Sequence, residues 1–474
     1  MLQHFRKITE KHLDVIVLVG LGTVALILYG STLRFDFFQD DYVWLSRARE
    51  TGFNVLSRQA ATMSNFFMPT IQLYFSLALK FFGTTPAHYH AANILLHIIN
   101  TWFVFLIFSK TLNDKRMAVT AAFLFIAMRY PLEALVWISA ITELITAFFL
   151  LSTALIWIFY LEKRQWRYYI PFLFGSVLTL SSKEWSALLI PFIVVVTILW
   201  YHRNLHKLWK EKRYLLIRLA PLIFVFSVYL VFQFFLQKEA SPLVRLGYYS
   251  FGWHFIPHIV LNILTIFVPY VTFAKTHTML WLGLSVIFLP LLVTVTWVLW
   301  HRTRSSIPWV ALGWLPVAFF PTSFFTWSIF TSRYAYFAAF GAALFLAYLV
   351  HTIADRFSHR YAMVGAVVVL FIIGNFVLIQ SRLKNYYYPI FVGNKNYTAA
   401  ATKTLPELGN TSHVGVYAET PIKDFVLPDY WYGMFAIQKA RVRVLKPGDP
   451  CPTDFICLHW THTTQIITIE KSTP

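Results

Sequence analysis

The sequence predicts an all-α polytopic membrane protein of about 11 transmembrane helices, followed by a small C-terminal α/β extracytoplasmic domain. Three observations lead there. The chain is 58% hydrophobic and only 13% charged, where a soluble domain carries about a quarter charged residues. Apolar runs recur almost end to end at the roughly 20 residues a helix needs to cross a bilayer. The net formal charge of +19 gathers largely in short clusters between those runs. That is the positive-inside pattern of a membrane protein rather than a nucleic-acid patch.

The spans are expected near 13–33, 87–109, 116–130, 141–160, 168–182, 185–201, 214–236, 278–300, 307–321, 335–353 and 361–380. The first has a basic flank, FRKITEKH, and no small-residue cleavage site, so it reads as a retained helix. The links KTLNDKR, LEKRQWR, HRNLHKLWKEKR, HRTRSS and ADRFSHR are all basic, as is the N-terminus, and are expected on the cytoplasmic side. Residues 255–273, FIPHIVLNILTIFVPYVTF, do not fit as a further span. They would invert the last two basic links, and they carry Pro257, Asn262 and Pro269. An interfacial or re-entrant segment packed on protein is expected.

The division expected is a membrane module over 1–380, with a long first outer loop at 34–86, and a small extracytoplasmic domain over 381–474. The tail is more polar and has strand-like runs, HVGVYAE and QIITIE. Its cysteines, Cys451 and Cys457, are the only two in the chain. In an oxidising compartment they could bridge, and two free thiols fit the spacing nearly as well. Asn396 and Asn410 begin tripeptides of the glycosylation pattern, which chance also supplies often.

The candidate chemistry lies in the outer segments. FDFFQDDYVWL (35–45) sets Asp40 and Asp41 just beyond the first span. Acids near a membrane are costly and usually functional, although a solvated acidic loop explains the pair alone. Glu133 and Glu143 flank ALVWISAIT, and a helix N-terminus suffices to explain Glu143. Lys183 and Glu184 share the turn SSKEW, where an internal ion pair is the plain explanation. Arg333, in SRYAYF, would ordinarily be an interfacial anchor. In HYHAANILLHIIN, His90, Asn93, His97 and Asn100 share one helical face. Metal ligation needs three or four converging groups, so bonding between helices is favoured. No phosphate loop, serine elbow or zincin motif is visible. Soluble-type nucleotide-sugar binding is therefore not expected, and a substrate delivered through the lipid is favoured.

In order, these segments resemble the GT-C superfamily of polytopic glycosyltransferases, in its protein-O-mannosyltransferase-like branch and that of the tetratricopeptide-bearing transmembrane O-mannosyltransferases. FDFFQDDYVWL resembles the acidic motif of the first loop. FFMPTIQLYFSLALKFFGTTPAHYHAANILLHIIN (66–100) resembles the interfacial helix, the Gly-x-x-Pro turn and the second span. YPLEALVWISAITELITAFFLL (130–151), LSSKEWSALLIP (180–191) and SRYAYFAAFGAALFLA (332–347) resemble the second loop, the Ser-Lys-Glu turn and the late Arg-Tyr segment. Met68 stands before Pro69 where the family commonly has Arg, which puts one phosphate or structural contact in doubt. Tetratricopeptide repeats are not visible, so acceptor recognition does not carry over.

The resemblance implies an inverting transfer of a sugar from a polyprenyl-phosphate donor to a hydroxyl on an acceptor protein, lipid or glycan. The partners are then the donor, the acceptor and the bilayer, with no nucleic acid. Asp40 is implied as general base, with Asp41 as orienter or alternative, and Glu133 as a group that positions the acceptor. Arg333 and Lys183 are implied as phosphate contacts; Glu143, Glu184 and His90 are secondary candidates. No metal ligand set is expected, no cofactor is certain, and a divalent cation is left open. The plasma (inner) membrane is the expected location, with site and tail facing out. The rival readings are a polysaccharide polymerase or ligase using lipid-linked sugars, a secondary transporter, and a non-catalytic assembly subunit.

Overall fold

The computed structural model describes residues 2–55, 62–63, 66–238, 247, 249–268, 278–326, 332–408 and 413–471. The helices in chain order are α1 (Leu2–Tyr29), α2 (Asp40–Thr51), α3 (Pro69–Phe82), α4 (Pro86–Leu112), α5 (Lys115–Ala127), α6 (Ile141–Lys163), α7 (Trp166–Leu180) and α8 (Leu189–Tyr201). They continue as α9 (Leu205–Lys238), α10 (Phe255–Phe267), α11 (Thr278–Thr303), α12 (Ile307–Phe319), α13 (Ala338–Ala354), α14 (Arg360–Arg382), α15 (Tyr388–Leu408) and α16 (Leu427–Phe435).

Each of the eleven expected apolar runs falls on a helix. Among the described residues, seven helical stretches are long and apolar enough to cross a membrane, or eight if the pair Lys115–Ala127 and Tyr130–Val136, bent by 57°, is one span. The other apolar helices are shorter. Several break into 3₁₀ turns at one end of the bundle, at Glu184–Leu188 before α8, Phe320–Thr322 after α12 and Ser332–Tyr336 before α13. Irregular backbone is tolerated there because it packs on protein instead of lipid. α10 has 13 residues, about 20 Å at ~1.5 Å per residue, too short for a hydrocarbon core of ~30 Å. It buries Leu261, Ile263, Leu264 and Ile266, as a segment lying against the bundle should. Residues 269–273 of the expected interfacial segment lie outside the described residues.

Buried Trp157, Trp185 and Trp314 fill the bundle interior. Close helix contact is built into the sequence at Gly341 of α13, where a Cβ would lie 2.6 Å from the Ala311 carbonyl oxygen of α12. Small residues of this kind let membrane helices approach. Phe224 on α9, Val286 on α11 and Leu370 on α14 are 70%, 73% and 67% exposed, an apolar exterior that only lipid suits.

The basic links collect at one end of the bundle. Lys110 pairs with Glu162 at 3.1 Å and Lys115 with Asp14 at 3.2 Å. Arg203 donates to the Leu112 carbonyl at 3.0 Å, and Arg116 lies over the Tyr361 ring at 4.3 Å.

α14 runs on through a single π turn (Leu383–Tyr387) into α15, so helix continues to Leu408 and passes the expected boundary at 380/381. Beyond it lies a four-stranded sheet of β3 (His413–Tyr417), β4 (Val442–Leu445), β5 (Phe455–Thr461) and β6 (Ile466–Lys471), after a two-residue hairpin of β1 (Thr62–Met63) and β2 (Phe66–Phe67) in the first loop. The order is β4-β3-β5-β6. β3 runs parallel to β4 and β5, and β6 is antiparallel to β5. Cys451 and Cys457 are bonded, with Cα atoms 5.9 Å apart. The tripeptide beginning at Asn410 lies outside the described residues. Asn396 lies on α15, where its amide donates to Gln465 at 2.7 Å.

Candidate functional site

The end opposite the basic links is built from the first loop, the connection between α5 and α6, the turn before α8, the turn before α13 and the C-terminal unit. α2 opens on the acidic pair. Gln39, just before it, has φ 50°, a conformation that non-glycine residues hold only when their surroundings impose it.

The two aspartates have different fates, which follow from successive positions on a helix facing about 100° apart. Asp41 is fully buried. One of its oxygens accepts from the Phe38 N–H at 2.7 Å; the other accepts from the Ser139 N–H at 2.7 Å and from the Ser139 hydroxyl. Burial pushes its pKa up to about 8, while Ser139 and Phe38 pull it down. With Trp137 Nε1 donating to the Phe38 carbonyl at 3.1 Å, Asp41 latches the first loop to the second. Asp41→Asn turns an amide NH₂ toward one of these donors. It is expected to cost about 1–3 kcal/mol of stability, read by thermal unfolding in detergent; an unchanged midpoint would remove the latch.

Asp40 is only partly buried, and no hydrogen bond or ion pair takes up its carboxylate among the described residues. It stands at the helix N-terminus, where the macrodipole favours an anion. Burial raises its pKa, against the pull of Arg333, Lys183 and, from the C-terminal unit, Lys423.

The two expected cations come together beside it, each held by carboxylates. Lys183 Nζ lies 2.7 Å from Glu143 Oε1 and donates to the Thr142 hydroxyl at 3.0 Å. Thr142 in turn donates to the second Glu143 oxygen at 2.5 Å. Arg333 Nη1 meets Glu133 Oε1 at 3.2 Å, and its Nε lies 3.7 Å from Glu143 Oε1. The guanidinium rests 4.4 Å above the Trp137 ring and donates to the Tyr334 hydroxyl at 3.3 Å. Burial works against both charges. The acids around them, with Tyr334, outweigh it and hold both pKa values above their ordinary levels.

These contacts change three expectations. Lys183 turns across to α6 and Glu143, and its ion pair is not with the adjacent Glu184. Glu184 opens a 3₁₀ turn, and one of its carboxylate oxygens is buried with no hydrogen bond among the described residues. Arg333, 14% exposed, is drawn inward by Glu133 and Glu143 and is no surface anchor. Glu143 does lie in the first turn of α6, but two cations, more than the helix end, hold its charge.

His90 does not join the cluster. It is buried edge-on between Phe35 and Phe391, with ring centroids 6.3 and 6.2 Å away. Its neighbours on the same face of α4 do bond between elements. Asn93 donates to the Trp137 carbonyl at 3.2 Å, His97 meets the Tyr336 hydroxyl at 2.8 Å, and Asn100 donates to the Leu144 carbonyl at 2.9 Å. Met68 is buried as the cap of α3, with Pro69 at the first helical position.

The sequence reading passed over Ser139, Thr142, Trp137 and Tyr334, hydroxyls and aromatics inside the very segments it quoted. It also passed over Asp36, whose pKa burial raises to about 6 against Phe37 N–H and Lys395. Asp36 influences Tyr42 and Tyr430, not the Arg333 cluster. No group of three His, Cys, Asp or Glu converges among the described residues, and Glu133 and Glu143 already serve Arg333 and Lys183.

This architecture is GT-C-like in fold. The archaeal oligosaccharyltransferase of Archaeoglobus fulgidus, in its apo form, superposes with a TM-score of 0.52 over 93% of this chain and 65% of that one, at 13% identity. The oligosaccharyltransferase AglB of the same organism, in complex with an inhibitory peptide and a dolichol-phosphate, aligns with a TM-score of 0.47 over 92% of this chain and 64% of that one, at 14% identity. In sequence, protein O-mannosyl-transferase Tmtc1 of Drosophila melanogaster is 34% identical over 129 residues, 24% of this chain and 15% of that protein. The chain thus spans less than two thirds of the length of each of these proteins. No family model matches it.

Proposed function

We propose that the chain is a membrane glycosyltransferase that moves a sugar from a polyprenyl-phosphate donor to an acceptor hydroxyl. The observation that carries this is that Asp40, whose carboxylate no hydrogen bond or ion pair takes up among the described residues, lies within the electrostatic influence of two largely buried cations, Arg333 and Lys183, at one end of a GT-C-like bundle. Asp40 takes the proton of the acceptor hydroxyl as its oxygen bonds to the anomeric carbon. The bond from that carbon to the phosphate oxygen breaks with inversion, and the polyprenyl phosphate leaves with the electron pair. Arg333 uses guanidinium N–H groups left over from Glu133 and Tyr334, and Lys183 its charge, to steady the leaving phosphate. Glu133 holds Arg333 and borders the acceptor's approach. A secondary transporter would set its charges near the bilayer midplane on broken helices; here they sit in loops and turns at the bundle end.

Purified protein in nanodiscs, given a polyprenyl-phosphate hexose and a hydroxyl-bearing peptide, glycan or lipid, is expected to release polyprenyl phosphate and glycosylate one of them. Intact donor with every acceptor class, at concentrations where it binds, would rule out the transferase. Sidedness belongs to the same proposal: basic links inside, site and C-terminal unit outside, in the plasma membrane. A cysteine in place of exposed Lys446 should react with an impermeant maleimide in intact cells. Labelling only after permeabilisation would invert the orientation.

A further inference from the structure

α2 does not stand alone on the bundle. Its flank away from Ser139 and Trp137 is covered by α16 of the C-terminal unit, hundreds of residues later in the chain. The covering contact is backbone against backbone. A Cβ added to Gly433 would come within 3.0 Å of the Tyr42 carbonyl oxygen, 3.1 Å of the Ser46 nitrogen and 3.2 Å of the Leu45 Cβ. A side chain here would fit only if α2 gave way by a few tenths of an ångström, because the atoms in the way are mostly α2's own backbone. Polar contacts then fix the register. Ser46 donates to Asp429 at 2.7 Å. Arg49 donates to the Gly433 carbonyl at 2.7 Å and the Met434 carbonyl at 3.4 Å, groups that the end of a helix leaves without intrahelical partners. Lys439 bridges Glu50 and Asp429 at 2.8 and 2.5 Å. The Tyr42 and Tyr430 rings meet edge to face at 4.9 Å.

We propose that α16 is a positioning element for Asp40: by seating α2 through Gly433, Asp429 and Arg49, the C-terminal unit sets where the Asp40 carboxylate stands relative to Arg333 and Lys183. The inference rests on the reading of Asp40 as base. Ser46 is six residues from Asp40, about 9 Å along the helix at ~1.5 Å per residue. α2 is short, so a tilt at this contact is carried to its first residue. A displacement of ~1 Å at reacting groups can lower a rate by about a hundredfold, far more than the loss of one surface contact would suggest. Asp41 pins the same helix from the other side, so α2 is gripped between the second loop and the C-terminal unit.

The test uses Gly433→Val and Arg49→Ala, with Arg49→Lys as the conservative partner, in the full-length protein in nanodiscs. Three quantities are read: transfer rate against donor affinity, the acid limb of the rate's pH profile, and amide exchange over residues 40–51. Both disruptive variants are expected to lower transfer at least about tenfold with donor affinity within about twofold. The acid limb should shift, and exchange in α2 should rise. Arg49→Lys should recover part of the loss. Should Gly433→Val fail to fold, the Arg49 pair carries the test. Parental transfer and an unmoved acid limb in Arg49→Ala, with or without faster exchange in α2, would overturn the positioning role and leave the glycosyltransferase reading intact. Absence of transfer by the parent itself would instead fail the base assignment, and the proposal with it.

Discussion

Asp40→Asn is expected to lower sugar transfer about a hundredfold or more, the scale of lost general-base catalysis, with folding and donor binding close to the parent's. The asparagine keeps the shape and removes the basicity. Folding should survive because no contact among the described residues depends on the Asp40 carboxylate, whereas Asp41 is hydrogen-bonded on both oxygens. Donor binding should survive because the cations are supplied by other loops. The pH profile gives an independent reading. Burial raises the Asp40 pKa by more than Arg333, Lys183 and Lys423 lower it. A base works only when deprotonated, so the parental rate should fall with acidification through a pKa above the ordinary Asp value of about 3.9. Transfer rate and donor affinity on purified protein decide the matter. A large rate loss in Asp41→Asn with little in Asp40→Asn would exchange the two roles. Near-normal transfer in the double variant would end the proposal for this site.

Arg333→Ala should weaken donor binding at least about tenfold and destabilise the fold by about 3 kcal/mol, because removing one partner of a buried ion pair strands the other. The stranded acid is Glu133, since Glu143 keeps Lys183 and the Thr142 hydroxyl. Arg333→Lys should restore charge without the planar fork or the stack on Trp137, and so recover only part of each loss. Adding Glu133→Gln to Arg333→Ala separates the two effects: stability should partly return, and donor affinity should not. If Arg333→Ala is less stable yet binds donor normally, Arg333 is a brace between the second loop and the turn before α13, and the phosphate contact falls to Lys183.

The bundle was legible in the sequence because its cause is local. Whether a run of twenty residues enters a bilayer depends on its own composition, and whether a link stays behind depends on its own lysines and arginines. The eleven helical positions, the basic links and the strand-like runs of the tail could all be read that way. What composition did not disclose was which runs are broken by 3₁₀ turns, because a break is tolerated only where other protein covers it.

Partner choice is the part that only the tertiary structure decided. Lys183 has a carboxylate next to it in sequence and takes one 40 residues away, while Arg333 reaches back 200 residues to Glu133. Neighbours in an ordered turn point in different directions, and an ion pair forms where side chains converge after folding. For the same reason the two aspartates look equivalent in sequence and are not equivalent in the fold: Asp41 faces Ser139, and no hydrogen bond or ion pair among the described residues takes up Asp40. Gly433, an unremarked glycine in the tail, lies against α2 because Ser46 and Asp429, 383 residues apart, meet there. The sequence by itself determined a membrane bundle and the chemical groups at its end; which carboxylate remains uncommitted and what holds it in place came from packing between distant segments, whose energies belong to pairs that no local stretch contains.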